Sequence, residues 1–377
     1  MKEYRMKKLA VFGRSAKKHE KRIAIHPDFL DRFPSDVREY MYFEKGYGEA
    51  FGISDAFFEQ EFGGVLERES LYTYCDVWLL PKPTTEDFKY FDEGKVLWGW
   101  PHCVQGKEIT QAAIDKKMTI IAWEAMYGGN DNTHIFYRNN ELAGYAAVQH
   151  MMMLSGKNGF FGKRIKACVL GFGATARGAI SSLKSLGIND ISVYSKRPSY
   201  LINAPVESVD YKQMKLDGNN VVLEADDGQY IDSHKALEQY DVIINCVLQN
   251  PTDPLMFIRD ESFVDSLDKQ IDIIDISCDE GMGFYFAKPT DFDEPAFTVK
   301  NKVHYYCVDH TPTIYWKSAS YEITKSIFDY IPMLVSDSWK ENKTLLKALE
   351  IENGRVVNRK ILDFQQRGEE YPHDRLA

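Results

Sequence analysis

Residues 167–179 read ACVLGFGATARGA, and this stretch decides the fold of the surrounding chain. An apolar run ends at Leu170 and leads directly into Gly171-x-Gly173-x-x-Ala176, after which a helix-compatible run follows. The first glycine permits a tight turn, the second lets the backbone approach a pyrophosphate, and the small third residue lets helix and strand pack closely. The pattern predicts a dinucleotide-binding loop, with a purely structural glycine turn as the alternative. The residues assigned to cofactor binding are Gly171, Gly173, Ala174, Thr175 and Ala176.

The next predicted strand, residues 191–194, ends beside Ser195, Lys196 and Arg197. NAD-selective enzymes usually place an aspartate or glutamate there, because a carboxylate accepts a hydrogen bond from the ribose 2′-hydroxyl. A carboxylate would repel a 2′-phosphate, whereas a hydroxyl and two cations can hold it. We therefore expect NADP(H) as the cofactor, with a merely solvated turn as the alternative. Cys246, which ends the apolar run DVIINC, is assigned to the same cofactor site.

Composition limits the class of protein. A chain of 377 residues with 44% hydrophobic residues is long enough for two domains and too apolar for a disordered chain. The net charge of −10 argues against a nucleic-acid binder. Without a signal-peptide run or an apolar stretch of membrane-spanning length, we expect a soluble cytoplasmic protein. The six cysteines are widely spaced with no CxxC pair, which favours buried thiols over a metal site.

Short apolar runs alternate with helical stretches along the chain, which is the pattern of parallel α/β sheets. We predict an α/β fold with two Rossmann-like domains. A dinucleotide-binding domain at 140–300 is inserted into a substrate domain formed by 1–139 and 301–377, and long helices join the two. The final polar segment, residues 367–377, is expected to fray. A homo-oligomer is the default expectation for such an enzyme.

Polar residues follow several of the apolar runs, at the edge where open α/β sheets bind their ligands. Arg22 follows HEK, Lys82 ends DVWLLPKP between two prolines, His102 ends LWGWPH, and Asp279 follows IDISC. A dehydrogenase of 2-oxo or 2-amino acids needs a cation for the carboxylate and a proton-transfer group near the reacting carbon. Histidine titrates in the useful range. Surface cations, a structural histidine and a loop-capping aspartate are the alternatives.

Six segments in order resemble the alanine dehydrogenase and nicotinamide-nucleotide transhydrogenase superfamily over roughly residues 8–325. They are HEKRIAIHP, DVWLLPKP, LWGWPHCVQ, VLGFGATARGA, IDISCDEG and VDHTPTIYWKSAS. The resemblance implies that Arg22 and Lys82 hold the carboxylate and carbonyl of pyruvate. It also implies that His102 is the acid/base residue and that Asp279 lies near the nicotinamide.

The chain departs from alanine dehydrogenase at several of these segments. LPKPT keeps Lys82 but lacks the acidic residue that follows it there, and His310-Thr-Pro-Thr313 replaces Asn-Met-Pro-Gly. The later segments look more like N(5)-(carboxyethyl)ornithine synthase, an NADPH-using family member. The resemblance thus implies NADPH-dependent condensation of pyruvate with the side-chain amine of ornithine or lysine. Glu124, Asp309 and Tyr315 are candidate partners for the amino acid, with a buried structural carboxylate as the alternative for Glu124.

Three other functions stay open at this point. The chain could be an alanine dehydrogenase that uses NADP and free ammonia, or an enzyme similar to saccharopine dehydrogenase. A non-catalytic dinucleotide-binding protein is the alternative of another class.

Overall fold

The computed structural model describes residues 5–128, 133–218, 220–250 and 253–376. The chain divides into two compact units, one formed by Met1–Tyr137 and Trp316–Ala377 and the other by Arg138–Tyr315. The second boundary therefore lies at 315 and not at 300, as the sequence had led us to expect. The reason is that a strand beyond residue 300, Val303–Tyr306, extends the sheet of the second unit.

The N-terminal part of the first unit alternates short strands with short helices. Its strands are β1 Leu9–Val11, β2 Met41–Glu44, β3 Gly64–Leu66, β4 Val77–Leu79, β5 Val96–Gly99, β6 Thr119–Ala122, β7 Tyr127–Gly128 and β8 Thr133–His134. Its α-helices are α1 Ser35–Arg38, α2 Asp55–Glu61, α3 Arg68–Tyr74 and α4 Lys107–Asp115. Short 3₁₀ helices span Pro27–Arg32, Glu49–Phe51, Phe88–Tyr90 and Trp123–Ala125.

The elements of the second unit come next along the chain. Its strands are β9 Lys166–Leu170, β10 Asp190–Ser195, β11 Asp210–Asp217, β12 Asn220–Glu224, β13 Tyr230–Asp232, β14 Val242–Asn245, β15 Met256–Ile258, β16 Ile271–Asp275, β17 Gly283–Phe284, β18 Ala296–Val299 and β19 Val303–Tyr306. Its α-helices are α5 Tyr137–Leu154, α6 Ala174–Ser185, α7 Ser233–Leu237 and α8 Ser262–Ser266, with 3₁₀ helices at Ser199–Leu201 and Thr311–Tyr315.

The chain then returns to the first unit. This part contains α9 Trp316–Ile327, α10 Ile331–Val335, α11 Lys343–Lys347, β20 Leu349–Glu352, β21 Arg355–Val356 and α12 Arg359–Gln365. Two further 3₁₀ helices span Phe328–Tyr330 and Trp339–Glu341. The sequence predicted that the segment after α12 frays, and this prediction is wrong. Arg367 and His373 within the segment are buried and hydrogen-bonded.

The sheet of the first unit has the strand order β21-β20-β6-β5-β4-β1-β2-β3. Strands β1 to β6 pair in parallel, and β20 and β21 close one edge in antiparallel orientation. Buried on both faces, β1 and β4 read as continuous apolar runs, as parallel strands do. The order reverses between β1 and β4, so this sheet has a switch point where loops splay apart and ligands bind.

Residues 23–26 follow the loop after β1 without forming a strand, and residues 23–25 are buried while His26 is half-buried. Their backbone groups bond to side chains instead, for α9 supplies Ser320 Oγ to the N–H of Ile23 at 2.9 Å. Thr324 Oγ1 likewise accepts the N–H of His26. The Tyr47 hydroxyl both accepts the N–H and donates to the carbonyl of Ile25. These bonds satisfy a buried backbone that has no strand partner.

The sheet of the second unit has the order β13-β12-β11-β10-β9-β14-β16-β19-β18. The strands from β11 through β19 in this order pair in parallel, while β12, β13 and β18 are antiparallel additions. Strand β9 lies between β10 and β14, so the switch point falls at the loop that begins with Gly171. The strand–turn–helix context predicted for this loop is present.

Helices α5 and α6 of the second unit cross at two glycines. A Cβ on Gly178 would lie 1.7 Å from the carbonyl oxygen of Glu141, and one on Gly144 would lie 1.9 Å from that of Thr175. The obstacles are backbone atoms of the facing helix, which cannot move aside as a flexible side chain could. The glycines are therefore what lets the two helices approach.

We expect Gly178→Ala to lower the free energy of unfolding by about 1–3 kcal/mol or more through overpacking. The midpoint of thermal unfolding should fall accordingly, by several degrees. Gly173→Ala is the matched control, because a Cβ there meets no described atom within 4 Å. Equal thermal midpoints for the two variants would refute the crossing argument.

Among the described residues no helix is both long and apolar enough to cross a membrane. All six cysteines carry free thiols, and four of them are buried.

Candidate active site

Three of the predicted residues follow neighbouring strands at the carboxyl edge of the first sheet. Arg22 lies in the loop after β1, Lys82 in the loop after β4, and His102 in the loop after β5. Because β1, β4 and β5 are consecutive and parallel in the sheet, their carboxyl ends meet at one edge. The structure therefore brings these three side chains to one place in the first unit, as expected from the sequence.

Arg22 is held by a buried ion pair with Glu20. Its Nε donates to Glu20 Oε1 at 2.8 Å and its Nη2 to Glu20 Oε2 at 2.5 Å. The side chains are only 4% and 2% exposed, so the pair is bidentate and largely dry. Burial alone would raise the pKa of Glu20, but the charge and hydrogen bonds of Arg22 outweigh it and keep the pKa below its ordinary value. Glu20 was not predicted as a site residue, although it stands two positions from Arg22.

Lys82 and His102 are in direct contact. Lys82 Nζ lies 3.2 Å from His102 Nε2. The ring of Trp100 lies below the two cations, with its centroid 5.5 Å from Lys82 Nζ and 5.3 Å from Arg22 Cζ. An indole face at this distance attracts positive charge and keeps one side of the cations dry. The cluster thus places two cations over the Trp100 ring, with an imidazole beside one of them.

His102 adopts a left-handed backbone conformation, with φ of 51°. This is uncommon for a residue other than glycine and requires support from its surroundings. Glu124 supplies part of it, because its Oε1 accepts the backbone N–H of His102 at 2.7 Å and lies 3.9 Å from the imidazole Nδ1. The other oxygen, Oε2, is buried and has no hydrogen-bond partner among the described residues. Glu124 therefore contacts the candidate acid/base residue directly.

Burial raises the pKa of Glu124 to about 8, and the charge of the neighbouring Glu350 adds to the rise. The N–H of His102 and the charge of Lys82 oppose it only in part. A carboxyl group with such a pKa carries its proton over much of the neutral range. Perturbed carboxyls of this kind cluster in active sites.

This shift gives a pH-dependent prediction for Glu124→Gln. The pKa of Glu124 is higher in the folded than in the unfolded chain, so its contribution to stability is complete below about pH 4.5 and is lost as pH rises through about 8. The thermal midpoint of the wild type should therefore fall relative to that of the variant between pH 5 and pH 9. Glu59→Gln, an exposed carboxylate on α2, is the control. A constant difference between variant and wild type would contradict the assignment.

The dinucleotide loop of the second unit has the geometry that a phosphate group requires. Gly171 has φ of +93°, and a Cβ there would lie 3.1 Å from the carbonyl oxygen of Cys246, so the turn needs glycine. Gly173 opens onto free space and is followed at once by α6, whose first turn has no side-chain cap. Backbone N–H groups at a helix start bind phosphate well. These residues fit a dinucleotide, with Ala174, Thr175 and Ala176 forming the first helical positions.

The cationic stretch lies where β10 ends. Ser195 is the last residue of that strand, and its Oγ accepts the backbone N–H of Arg197 at 3.1 Å. The side chains of Lys196 and Arg197 are exposed. No acidic side chain of the described chain forms a salt bridge with either one within 4.0 Å. The three residues therefore lie at the carboxyl end of the strand beside the phosphate loop, available to an anionic group.

The remaining residues assigned to the cofactor or amino acid also belong to the second unit. Cys246 follows β14, and its carbonyl oxygen occupies the space that a Cβ on Gly171 would need. Asp279 lies beyond β16, where burial raises its pKa. Asp309 Oδ1 lies 2.6 Å from His310 Nδ1, and the ring of Tyr315 packs against Tyr145. Of the candidates for amino-acid binding, only Glu124 therefore lies in the first unit with Arg22, Lys82 and His102.

Asp275 in the second unit was not predicted. It is fully buried at the end of β16, and its carboxylate accepts hydrogen bonds from Asn245 Nδ2 at 3.0 Å and the Tyr305 hydroxyl at 2.7 Å. Burial raises its pKa to about 7. The network fastens the ends of β14 and β16 beside the dinucleotide loop. The sequence offered only one signal for it, a polar residue within the apolar run DIIDIS.

Two protein-family models match the chain. The family model described as "Alanine dehydrogenase/PNT, C-terminal domain" matches residues 142–359, and the one for the N-terminal domain matches residues 14–143. The chain belongs to the alanine dehydrogenase/PNT family. The superfamily resemblance inferred from the sequence motifs is thereby confirmed.

Individual members of the alanine dehydrogenase/PNT family are distant. The chain is 24% identical over 335 residues to the N(5)-(carboxyethyl)ornithine synthase of Clostridium botulinum, covering 83% of this chain and 90% of that protein. It is 24% identical over 362 residues to the alanine dehydrogenase of Methanococcus maripaludis, covering 90% and 92%. A solved L-alanine dehydrogenase superimposes with a TM-score of 0.74 at 17% identity, covering 95% of this chain and 98% of that one.

These matches confirm the predicted α/β fold and its two-domain family architecture. The alanine dehydrogenase family binds a nicotinamide dinucleotide, and the named relatives are oxidoreductases that act on small molecules.

Proposed function

We propose that the chain catalyses the NADPH-dependent condensation of pyruvate with the side-chain amine of ornithine or lysine, giving an N-(1-carboxyethyl) amino acid. The observation that carries the proposal is the cluster in the first unit. There Arg22 and Lys82 present two cations beside His102, whose imidazole is 3.2 Å from the lysine amine. A 2-oxo acid needs such a pair of cations, and proton transfer at its carbonyl needs the imidazole.

Each residue has a defined task in this proposal. Arg22, oriented by Glu20, binds the carboxylate of pyruvate, and Lys82 donates to its carbonyl oxygen. The amine attacks the carbonyl carbon and forms the C–N bond while the nitrogen loses one proton, which His102 passes to the former carbonyl oxygen to give a hydroxyl. His102, protonated again from solvent, then protonates this hydroxyl, which leaves as water and gives the iminium C=N bond. A bound NADPH, held by the loop at Gly171 and Gly173, would supply the hydride that converts the C=N bond to the secondary amine. Asp279 is the acidic residue assigned to the nicotinamide end of the second unit, and orientation supplies much of the acceleration.

The preference for NADPH over NADH rests on the end of β10. Ser195, Lys196 and Arg197 stand where an NAD-selective site places a carboxylate. The two exposed cations and the hydroxyl suit the charge and the acceptors of a 2′-phosphate. Gly171, Gly173 and Cys246 contribute the backbone of the pyrophosphate and nicotinamide region.

An alanine dehydrogenase reaction is the second candidate, supported by the relatives that carry that name. It needs the same pyruvate site and cofactor and differs only in the amine, because free ammonium replaces the diamino acid. Glu124 bears on the difference. Its Oε2 has no partner among the described residues, and the ammonium group of a diamino acid beside it would favour the ionised form of the carboxyl over the protonated one.

The test is a spectrophotometric assay of NADPH oxidation with pyruvate and one amine at a time. Ornithine, lysine and ammonium are compared at equal concentration, and mass spectrometry identifies the product. We expect a diamino acid to give the highest kcat/KM and a carboxyethyl product. Turnover with ammonium that a diamino acid does not increase would establish the alanine dehydrogenase reaction instead. NADPH binding without turnover of any amine would indicate a non-catalytic binding protein.

A further inference from the structure

The turn that carries His102 is held from two sides. On one side Glu124 accepts the N–H of His102, and the carbonyl of His102 accepts the N–H of Gly106 at 2.7 Å. The second set of bonds involves the carbonyl groups of the next two residues, Cys103 and Val104. Both accept hydrogen bonds from the same side chain, which comes from the C-terminal end of the chain.

That side chain is Gln365, the last residue of α12. Its Nε2 lies 2.7 Å from the carbonyl oxygen of Cys103 and 3.2 Å from that of Val104. Gln365 is buried, with 4% of its surface exposed. It reaches the turn across a separation of 262 residues in the chain. The carbonyl groups of the two residues after His102 are thus held by a side chain that is distant from them in sequence.

The orientation of this amide is determined by its neighbour Arg367. The Arg367 Nε donates to Gln365 Oε1 at 2.7 Å. Because a guanidinium group can only donate hydrogen bonds, the amide oxygen must face it and the amide NH₂ must face the turn. The 3%-exposed Arg367 is itself fixed through Nη1, which donates to Gln111 Oε1 at 2.8 Å and to the carbonyl of His373 at 3.1 Å.

His373 completes the arrangement. Its Nε2 accepts the backbone N–H of Val356 at 3.0 Å, so its Nδ1 carries the proton and donates to the carbonyl of Gly368 at 3.0 Å. Within residues 359–376, which we name the C-terminal segment, the buried side chains of Gln365, Arg367 and His373 therefore form a polar network behind the His102 turn. The family models match the chain only as far as residue 359, so nearly all of this segment lies beyond the matched region.

We propose that the C-terminal segment is a positioning element for His102, and that Gln365 is the positioning residue through which it acts. The inference rests on the proposed function for the role of His102. The left-handed conformation of His102 is retained only when its neighbours impose it, and the two carbonyls bound by Gln365 are the first groups after that residue. Loss of these bonds lets the imidazole move relative to Lys82, and small displacements of this kind are costly in catalysis.

The test compares three variants of the full-length chain. Gln365→Leu removes the donors, and Gln365→Glu keeps the shape and the contact with Arg367 but cannot donate when ionised. Asp363→Asn, on the exposed face of the same helix, is the matched control. We expect both Gln365 variants to lose about 10-fold or more in kcat with an unchanged KM for NADPH. The control should keep the wild-type values.

Hydrogen exchange of the peptide spanning residues 101–111, measured by mass spectrometry, is the second readout and needs no substrate. We expect faster exchange in both Gln365 variants than in Asp363→Asn. Faster exchange with wild-type kcat would overturn the positioning role, and unchanged exchange would overturn the inference altogether. Should Gln365→Leu not fold, Gln365→Glu decides. If the wild type turns over no amine, the proposed function fails, and exchange alone tests whether the segment holds the turn.

Discussion

His102→Asn is expected to lower kcat for NADPH oxidation with pyruvate and amine by about 10²–10⁴-fold, the usual contribution of general acid–base catalysis. Asparagine preserves a polar side chain of similar size and tolerates the left-handed backbone that His102 adopts. The turn should therefore survive, while the proton-transfer group is lost. The KM for NADPH should stay near its wild-type value, since the dinucleotide loop belongs to the second unit.

The control for this variant is His304→Asn. In the wild type the imidazole of His304 lies on β19 and is hydrogen-bonded to Gln270. It removes a histidine of the chain without touching the cluster and should keep the wild-type kcat. A decrease of less than about fivefold for His102→Asn would exclude acid–base catalysis by this residue. A parallel decrease in thermal stability would instead attribute the effect to the turn.

The double variant Lys196→Ala/Arg197→Ala is expected to lower kcat/KM for NADPH by about 10²-fold or more. Each charge-assisted hydrogen bond to the 2′-phosphate contributes about 1.5–3 kcal/mol, and two of them are lost. NADH has no 2′-phosphate, so its kcat/KM should change by no more than a few-fold. The assay measures both cofactors at subsaturating concentration with the same amine.

A second double variant, Lys163→Ala/Arg164→Ala, removes the same charge from the same unit and serves as the control. Arg164 is highly exposed and lies 3.6 Å from Asp190 at the opposite end of β10. If long-range attraction between the protein and its anionic cofactor were the cause, kcat/KM for NADPH would fall equally in both double variants. A decrease confined to residues 196 and 197 would assign discrimination to these side chains, and equal losses with NADH would refute it.

Much of the site follows from local sequence. The turn at Gly171 was predictable because its geometry depends on a few adjacent residues and on the strand before them. The contact between Lys82 and His102 followed from a rule of topology, since residues after neighbouring parallel strands meet at one edge. In both cases a short pattern carries the information.

Other parts of the site were not predictable for a physical reason. Gln365 meets Cys103 only through tertiary packing, and nothing near either residue in sequence marks the pair. The polar C-terminal residues suggested fraying, yet Arg367 and His373 are buried because each finds hydrogen-bond partners there. The boundary was predicted at 300, before the apolar run VHYYCVD, although this run supplies the strand at 303–306 that pairs with β16 in the second sheet.

The side-chain bonds that hold residues 23–26 have a consequence for biosynthesis. Ser320 and Thr324, which satisfy this buried backbone, are translated after the whole of the second unit, residues 138–315. The first unit therefore cannot bury the backbone beside Arg22 with its native partners until Ser320 and Thr324 have been translated, while the second unit, contiguous in sequence, can fold as soon as it is complete. Closing the interval between the two halves of the first unit is a long-range step that folding of the second unit shortens. The second unit can thus complete its fold first and the first unit last.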